Sequence, residues 1–264
     1  MIKQLILLLL VIFPSTFLCA QDTINQTDKE GHKQGHWIGK YTNGSIHYEG
    51  SFTDDKPVGE WKRFHQNGKI KAQMHFFPNT DKALAELFDS KGIRYAKGYY
   101  IGTKKDSTWN YYNNIRLVGQ ENFSDGIKNG RALTYFENGI IATESNWTNG
   151  LLNGVSRSFY PSGKKKTEIM FMSGKRDGLS LVYYESGQTQ IIGKFVNDQS
   201  DGAWKFMDEN GKLKYELKYK AGILLNPEVL DRIQADEFNA FDRARGTLKD
   251  PEDFSQRPEE YLRN

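Results

Sequence analysis

The stretch 202–222, GAWKFMDENGKLKYELKYKAG, decides the fold of this 264-residue chain. Four apolar residues alternate with lysine and glutamate in its second half: Leu213, Tyr215, Leu217 and Tyr219. Alternation with a period of two is typical of a strand with one buried and one wetted face. A second apolar arm begins at Trp204, and the Asn210-Gly211 turn separates the two arms. The stretch therefore predicts a β-hairpin.

Glycines at the tip of this hairpin recur along the chain. They are Gly44, Gly68, Gly92, Gly139, Gly163, Gly187 and Gly211, at intervals of 24, 24, 47, 24, 24 and 24 residues. The long interval holds one more unit, with a shortened turn at Asn114-Ile115. Eight residues beyond each turn stands an aromatic residue: Phe52, Phe76, Tyr100, Phe123, Trp147, Phe171, Phe195 or Tyr219. A fixed period of this size is the mark of a repeat protein, and we count eight hairpins between Gly35 and Gly222.

Two further columns run through the repeats. Each repeat opens on one of these residues: Gly35, Gly59, Ala83, Ser107, Gly130, Gly154, Gly178 and Gly202. Two residues later stands a tryptophan in four of the repeats: Trp37, Trp61, Trp109 and Trp204. We expect Gly50, Gly98 and Gly193, in the second arms, to leave room for a neighbouring ring.

The residue before the turn glycine narrows the turn type. It is asparagine in four units, but Lys91, Ser162 and Ser186 occur in others. A type I′ turn needs positive φ at both central positions, which lysine and serine resist. We therefore predict a type I turn followed by a glycine in the left-handed region, closing with a β-bulge.

The second arms predict which side chains share a face of the sheet. Residues two, four, six and eight past the turn glycine should lie together, as in Ile46, Tyr48, Gly50 and Phe52. The fold class is thus all-β, an elongated single sheet of about eight tandem 24-residue antiparallel hairpins. At ~4.8 Å per strand, sixteen strands would span on the order of 75 Å. Its apolar face and its two edge strands need a cover, from twist, another chain or a cap.

The chain offers a C-terminal capping helix. Pro227 follows Asn226 and favours the first helical position, and Gly246 ends the helical pattern. Its apolar stripe contains Leu230, Ile233, Phe241 and Ala244, with Phe238 at the margin. We predict a helix from about Pro227 to Arg245, lying against the last hairpin. Residues beyond it dock through Phe254, Tyr261 and Leu262, or else form an acidic disordered tail.

The N-terminus differs in kind from the repeats. Lys3 precedes an apolar run from Leu5 to Phe13, with Ala20 at its exit, which predicts a secretory signal peptide over residues 1–20 cleaved near Ala20. Cleavage there removes Cys19, the single cysteine, so packing and hydrogen bonds must hold the exported chain. We divide the remainder into a flexible leader (21–34), a repeat domain (35–222) and a helical cap with an acidic tail (223–264). The destination is the periplasm, the cell surface or the medium.

The charge of the chain is mild and uneven. The net charge of +3 gives no reason to propose nucleic acid as a partner. Residues 226–264 carry ten acidic and six basic side chains, which leaves about +6 on residues 21–225 once Lys3 is removed. A solvated surface explains this distribution, and attraction to an anionic membrane surface is the alternative.

No pattern of catalytic, cofactor-binding or metal-binding residues emerges from the sequence. His32 and His36 are four residues apart, but in a polar leader rather than on a helix. The pairs Asp54-Asp55 and Glu259-Glu260 fall in a predicted loop and in the tail, without signs of burial. Lys164, Lys165 and Lys166 follow a turn and predict a wetted edge. We therefore expect a protein that is not an enzyme.

The string GEWKRFHQNG (59–68), followed by Phe76, resembles the MORN repeat and more closely its bacterial variant, as does YEGSF (48–52). The resemblance covers roughly residues 35–222 and implies tandem hairpins. It further implies a non-enzymatic scaffold for protein contacts, lipid binding in some relatives, and an antitoxin-like role in some bacterial variants. An antitoxin normally acts inside the cell, which fits poorly with an export signal. We therefore expect an exported scaffold with a protein partner, and leave open membrane lipid, a toxin partner and a homodimer.

Overall fold

The computed structural model describes residues 23–245, so the predicted signal peptide and residues 246–264 lie outside the described part of the chain. Strands and one helix follow one another in this order: β1 (Gln26–Thr27), β2 (Lys33–Lys40), β3 (Ile46–Thr53), β4 (Lys56–Phe64), β5 (Ile70–Phe76), β6 (Lys82–Phe88), β7 (Arg94–Ile101), β8 (Lys104–Asn113), β9 (Arg116–Ser124), β10 (Ile127–Tyr135), β11 (Ile141–Thr148), β12 (Leu151–Leu152), β13 (Gly154–Phe159), β14 (Lys165–Met172), β15 (Lys175–Tyr183), β16 (Thr189–Val196), β17 (Gln199–Met207), β18 (Leu213–Lys220), β19 (Ile223–Leu224) and α1 (Pro227–Arg245).

Apart from β12 and β13, which both pair with β11, each strand pairs antiparallel with the next one along the chain. The pairings run without a crossover from β1·β2 to β18·β19, and β11 pairs with both β12 and β13. The result is one open sheet of 19 strands. The all-β array of tandem hairpins predicted from the sequence is therefore confirmed.

The turns at the tips of the hairpins have the predicted form. In the first repeat Gly44 N–H donates to the Tyr41 carbonyl (2.9 Å), and Tyr41 N–H donates to the Ser45 carbonyl (2.8 Å). Gly44 has φ 85°, whereas Asn43 before it does not have a positive φ. The same holds at Lys91 and Gly92, so only the glycine occupies the left-handed region, which explains why its neighbour can vary.

A second set of turns, not predicted above, joins successive repeats. Both central residues have positive φ at Asp54-Asp55, Asp125-Gly126, Asn149-Gly150, Ser173-Gly174, Asn197-Asp198 and Ala221-Gly222. This is the conformation of a type I′ turn, for which Asn-Gly and Asp-Gly are the usual signals. The second residue of these turns bonds to the repeat before it: Gly150 N–H donates to the Lys128 carbonyl (2.8 Å). The turns therefore connect neighbouring repeats through backbone hydrogen bonds.

The prediction that residues two, four, six and eight past the turn glycine share a face is wrong for the first of them. Tyr48 pairs with Gly39 but Ile46 pairs with Lys40, because an irregularity places one extra residue between them. Gly39 and Lys40 are adjacent and point to opposite faces, so Ile46 does not share the face of Tyr48. The same shift recurs at Leu213 and Tyr215 in the last repeat. Residues four, six and eight past the turn glycine keep the common face, which we call the tryptophan face.

The predicted flexible leader (21–34) departs from expectation over its described residues. β1 pairs with the beginning of β2, and Asn25 adds two hydrogen bonds to the same edge. The Asn25 amide nitrogen donates to the Ile38 carbonyl (3.1 Å), and its oxygen accepts from Ile38 N–H (2.7 Å). An exposed strand edge offers unpaired backbone groups, and the leader satisfies them.

The C-terminal helix has the predicted bounds but does not cover the sheet. Only Val229, Leu230 and Ile233 are half-buried, whereas every side chain from 234 to 243 is exposed. The helix starts close to β18 because Asn226 accepts from Lys218 N–H (2.7 Å) and donates to the Glu216 carbonyl (3.0 Å). The predicted packing against the last hairpin is thus limited to its first two turns.

Candidate interaction surface

Three tryptophans of the tryptophan face lie directly on a glycine of the preceding strand. A Cβ atom built on Gly50 would overlap the Trp61 ring, and the same holds for Gly98 with Trp109 and for Gly193 with Trp204. The expectation that these glycines leave room for a ring is confirmed. The consequence is deep burial, since Trp109 has no exposed surface and Trp61 only 8%.

Aromatic neighbours and backbone carbonyls fix the orientation of two of these rings, Trp61 and Trp109, whereas the buried indole N–H of Trp204 has no hydrogen-bond acceptor within the described residues. Trp61 lies edge-on to Phe52 at 4.8 Å between centroids, and Trp109 lies edge-on to Tyr100 at 4.9 Å. The indole N–H of Trp61 donates to the Ser51 carbonyl, and that of Trp109 to the Tyr99 carbonyl, both at 2.9 Å. Edge-on packing and a satisfied N–H are what a buried indole prefers. The tryptophan face is therefore a rigid aromatic surface.

In four repeats a cation of the chain covers the aromatic residues, and it stands two residues before the opening position of the same repeat. Lys33 lies 4.8 Å from the centres of both Trp37 and Phe52. The same position holds Lys105 over Trp109 (4.4 Å), Lys128 over Trp147 (4.2 Å) and Arg176 over Phe195 (4.0 Å). Burial lowers the pKa of Lys105, and the charge of Glu121 acts in the opposite direction. These contacts are cation–π interactions that shield the rings from water.

The second and third repeats interrupt the pattern and leave the tryptophan face open. Pro57 and Asp81 stand where four other repeats carry the covering cation, and Ala85 replaces the tryptophan of the third repeat. The sixth and eighth repeats also lack the cation, with Leu152 and Ser200 at this position. Ala83 and Ala85 are completely buried, so no large side chain fills this part of the face. The opening residue is Ala83 instead of glycine, and the ladder between β5 and β6 accordingly runs without a bulge.

A groove of two adjoining cavities lies over this region. The first, of about 420 Å³, is lined by Phe52, Lys56, Pro57, Trp61, Arg63, Met74, Phe76, Thr80, Asp81, Gly102 and Thr103. The second, of about 370 Å³, is lined by Arg63, Lys71, Ala72, Met74, Leu87, Tyr95, Tyr100, Gly102 and Thr103. They share Arg63 and Met74, so we treat them as one feature, the N-terminal groove.

The charges at the N-terminal groove favour an acidic ligand. Lys56, Arg63 and Lys71 line it, against a single carboxylate, Asp81. Within residues 23–245, Arg63 forms no salt bridge and its side chain is exposed. The neighbouring carboxylate of Glu86 is already paired with Lys97 and Arg94. The hydrogen bond from Lys97 lowers the pKa of Glu86, Arg94 acts in the same direction, and burial opposes the shift. An apolar floor with unpaired cations is a binding surface for an amphipathic, acidic segment.

The histidines have ordinary roles. His75 pairs across strands with Glu60 (2.6 Å), His65 contacts the Phe88 carbonyl (3.0 Å), and His32 lies 3.5 Å from Asp28. In the described part of the chain, no group of three or more His, Cys, Asp or Glu side chains is arranged to hold a metal ion.

The charged pairs singled out in the sequence are exposed. Asp54 and Asp55 form a turn, where Asp55 accepts a hydrogen bond from Lys33 N–H (2.9 Å). Lys164, Lys165 and Lys166 are exposed as predicted, and Lys165 pairs with Glu168. Glu259-Glu260 lies outside the described residues. None of these groups belongs to the N-terminal groove.

Comparison with known proteins identifies the repeats. A family model described as MORN repeat variant matches residues 57–77, 128–149, 152–172, 176–197 and 200–221. No curated protein matches the chain significantly. Between residues 23 and 245, no helix has the length and apolarity needed to cross a membrane.

Several solved structures are similar to part of this chain. The GtfA/B complex is 15% identical, with a TM-score of 0.26 over 33% of this chain and 18% of that chain. An S. aureus TarM mutant in complex with fondaparinux, α-GlcNAc-glycerol and UDP is 15% identical, with a TM-score of 0.21 over 41% of this chain and 19% of that chain. TarM itself is 16% identical, with a TM-score of 0.21 over 43% and 20%. This chain thus spans about a fifth of those proteins, and TM-scores this low carry no functional argument.

Proposed function

We propose that this chain, which carries MORN-variant repeats in one open sheet, is an exported, non-enzymatic scaffold that binds a partner protein through its sheet surface. The observation that supports this function is the N-terminal groove. It exposes apolar and aromatic side chains together with Arg63 and Lys71, on a face that four other repeats cover with their own lysine or arginine. Aromatic and arginine residues are enriched where proteins bind proteins.

The test is capture of a partner by the chain 21–264, immobilised and compared with two variants. Arg63→Glu reverses the central charge of the groove, whereas Lys212→Glu reverses an exposed charge in the turn before β18, far from it. Proteins captured specifically by the unmodified chain and by Lys212→Glu, but lost with Arg63→Glu, would support the proposal. Capture that is indifferent to Arg63→Glu would contradict it.

Binding to an anionic membrane surface is a second candidate. Lys212, just before β18, and Lys214 and Lys218 on β18 are exposed. Lys164 and Lys166 are also exposed, in another part of the sheet. Clustered exposed lysines attract anionic headgroups, and salt screens that attraction. Liposome binding that disappears at high salt and with Lys212→Glu and Lys214→Glu combined would favour it over a protein scaffold.

Export is part of the proposal and rests on the sequence of residues 1–20. We expect the chain isolated from its natural host to begin at Gln21. N-terminal sequencing checks this, and a chain that retains Met1 to Ala20 and stays inside the cell would contradict it.

A further inference from the structure

The outer half of α1 presents apolar side chains that are largely exposed. Phe238 is 64% exposed and Phe241 60% exposed, and β18 is the one strand with which the helix makes more than slight contact. An amphipathic helix of this length owes most of its stability to packing of its apolar side. The outer half of α1 therefore lacks the surface against which it would be stable.

The chemistry of that surface follows from the helix. Acidic residues outnumber basic ones in α1: Glu228, Asp231, Asp236, Glu237 and Asp242 against Arg232, Arg243 and Arg245. Glu237 precedes Phe241 by four residues, so the two lie on the same side of the helix. The complement of this side is an apolar surface that carries a cation at its centre.

The N-terminal groove has this chemistry. Met74, Phe76 and Tyr100 supply apolar lining, and Arg63 lies in both of its cavities. Apolar grooves that accept the apolar side of a helix are a recurrent mode of protein recognition. The chain thus carries both halves of a complementary pair.

The two halves cannot meet within one molecule. Ten strand spacings separate β7, at the C-terminal border of the groove, from β18, where α1 starts. At ~4.8 Å per spacing this is about 50 Å along the sheet. A 19-residue helix is about 28 Å long and cannot cover that distance.

We propose that the outer half of α1 docks into the N-terminal groove of a second copy of this chain. The inference deepens the proposed function, because it names an occupant for the same groove. Two copies that exchange helices form a closed, two-fold pair, since each contributes one helix and one groove. A heterologous partner would then have to displace the helix.

The test measures the mass of the chain 21–264 in solution by light scattering and sedimentation, at concentrations from about 1 to 100 μM, where interfaces of modest affinity populate the complex. We expect a dimer for the unmodified chain. Arg63→Glu removes the positive charge of the groove, and Glu237→Arg removes the negative charge that the helix brings to it. Each variant alone should therefore be a monomer, with unchanged circular dichroism because the fold is intact. An equimolar mixture of the two should recover dimers, because one intact helix meets one intact groove.

The control variant is Lys212→Glu, which should dimerise like the unmodified chain. A monomeric unmodified chain, or a mixture that stays monomeric, would overturn the inference. The proposed function fails separately: it fails if partner capture is indifferent to Arg63→Glu, whatever the oligomeric state. Dimers that Phe238→Asp and Phe241→Asp together do not weaken would also overturn the inference, since they would use another surface.

Discussion

At the residue scale, a tryptophan in one strand depends on a glycine in the strand before it. Trp109 lies on Gly98, and a Cβ there would overlap the ring. In the fourth repeat Glu121 stands at the position of this glycine, and it pairs with Ala132, which replaces the tryptophan. Gly119 lies two residues earlier, and a Cβ there would meet the Leu133 carbonyl at 3.4 Å and the Tyr111 side chain at 3.8 Å. Gly119 is therefore a matched control: a glycine within a strand on which no tryptophan lies.

We predict that Gly98→Ala destabilises the protein by about 1–3 kcal/mol, because Trp109 must leave its rotamer or the strands must separate. Gly119→Ala should be neutral, or stabilising by up to about 1 kcal/mol, since it restricts the unfolded chain without a clash. Urea unfolding followed by tryptophan fluorescence measures both. Equal effects of the two substitutions would contradict the account.

The opening position of each repeat gives a second prediction. Ser107 has φ 57° at a bulge where most repeats have glycine, and a left-handed conformation costs a side-chain-bearing residue about 1–2 kcal/mol. Ser107→Gly should therefore stabilise the protein by up to about 1 kcal/mol after the entropy of the unfolded glycine is subtracted. Ala83→Gly should instead destabilise the protein, because Ala83 is buried in a ladder without a bulge. Thermal unfolding of both variants checks the opposite signs.

At the element scale, the two ends of the sheet are closed by the same device. Asn25 bonds both backbone groups of Ile38 on β2, and Asn226 bonds Lys218 N–H and the Glu216 carbonyl on β18. Side-chain amides thus stand in for the next strand, which leaves these edges less able to pair with another chain. Neither asparagine is recognisable in the sequence, because each bonds to a strand that only the fold brings near.

We predict that Asn226→Ala speeds hydrogen exchange of the Lys218 amide by roughly tenfold, the equivalent of one lost hydrogen bond of about 1–1.5 kcal/mol. Asn210→Ala, in the exposed turn before β18, should leave that amide unchanged. Exchange read by NMR distinguishes the two. An unchanged rate in Asn226→Ala would show that the amide is protected by something other than this side chain.

Local signals account for what the sequence could predict about elements. Turn glycines, alternating arms and the proline of α1 act on neighbouring residues, so the hairpins and the bounds of the helix follow from them. The extra residue between Ile46 and Tyr48 has no residue-type signature, and it reverses the face of Ile46. The N-terminal groove results from several absences at once: no tryptophan at Ala85 and no cation at Pro57. The sequence shows each of these irregular residues. Only the pairing of the strands shows that they lie side by side on one face and form a groove.

At the scale of the whole molecule, paired carboxylates make stability depend on pH. Hydrogen bonds from Lys97 to Glu86 and from Lys165 to Glu168 lower the pKa of each carboxyl, although partial burial opposes both shifts. A lowered pKa contributes stability above the unfolded value, 4.5 for glutamate, and that contribution is lost as the pH falls through the folded pKa. We predict that the urea concentration at the midpoint of unfolding decreases as the pH is lowered below 4.5. Glu86→Gln should lower it at pH 7 but barely at pH 3, and an equal loss at both would contradict the assignment.

Because each repeat contacts mainly its neighbours, the array should tolerate loss of a whole repeat when the new neighbours fit. Deletion of residues 152–175 joins two turns in register and places Ser180 opposite Ser145, two small side chains. Deletion of residues 176–199 removes the same length but places Trp204 over Ile169 instead of Gly193. We expect the first variant to unfold in one transition at a modestly lower temperature, and the second to be less stable than the first by about 1–3 kcal/mol or more, the cost of an overpacked ring. Calorimetry and circular dichroism compare the pair, and equal stability would mean that strand count, rather than the seating of each tryptophan on its glycine, governs the array.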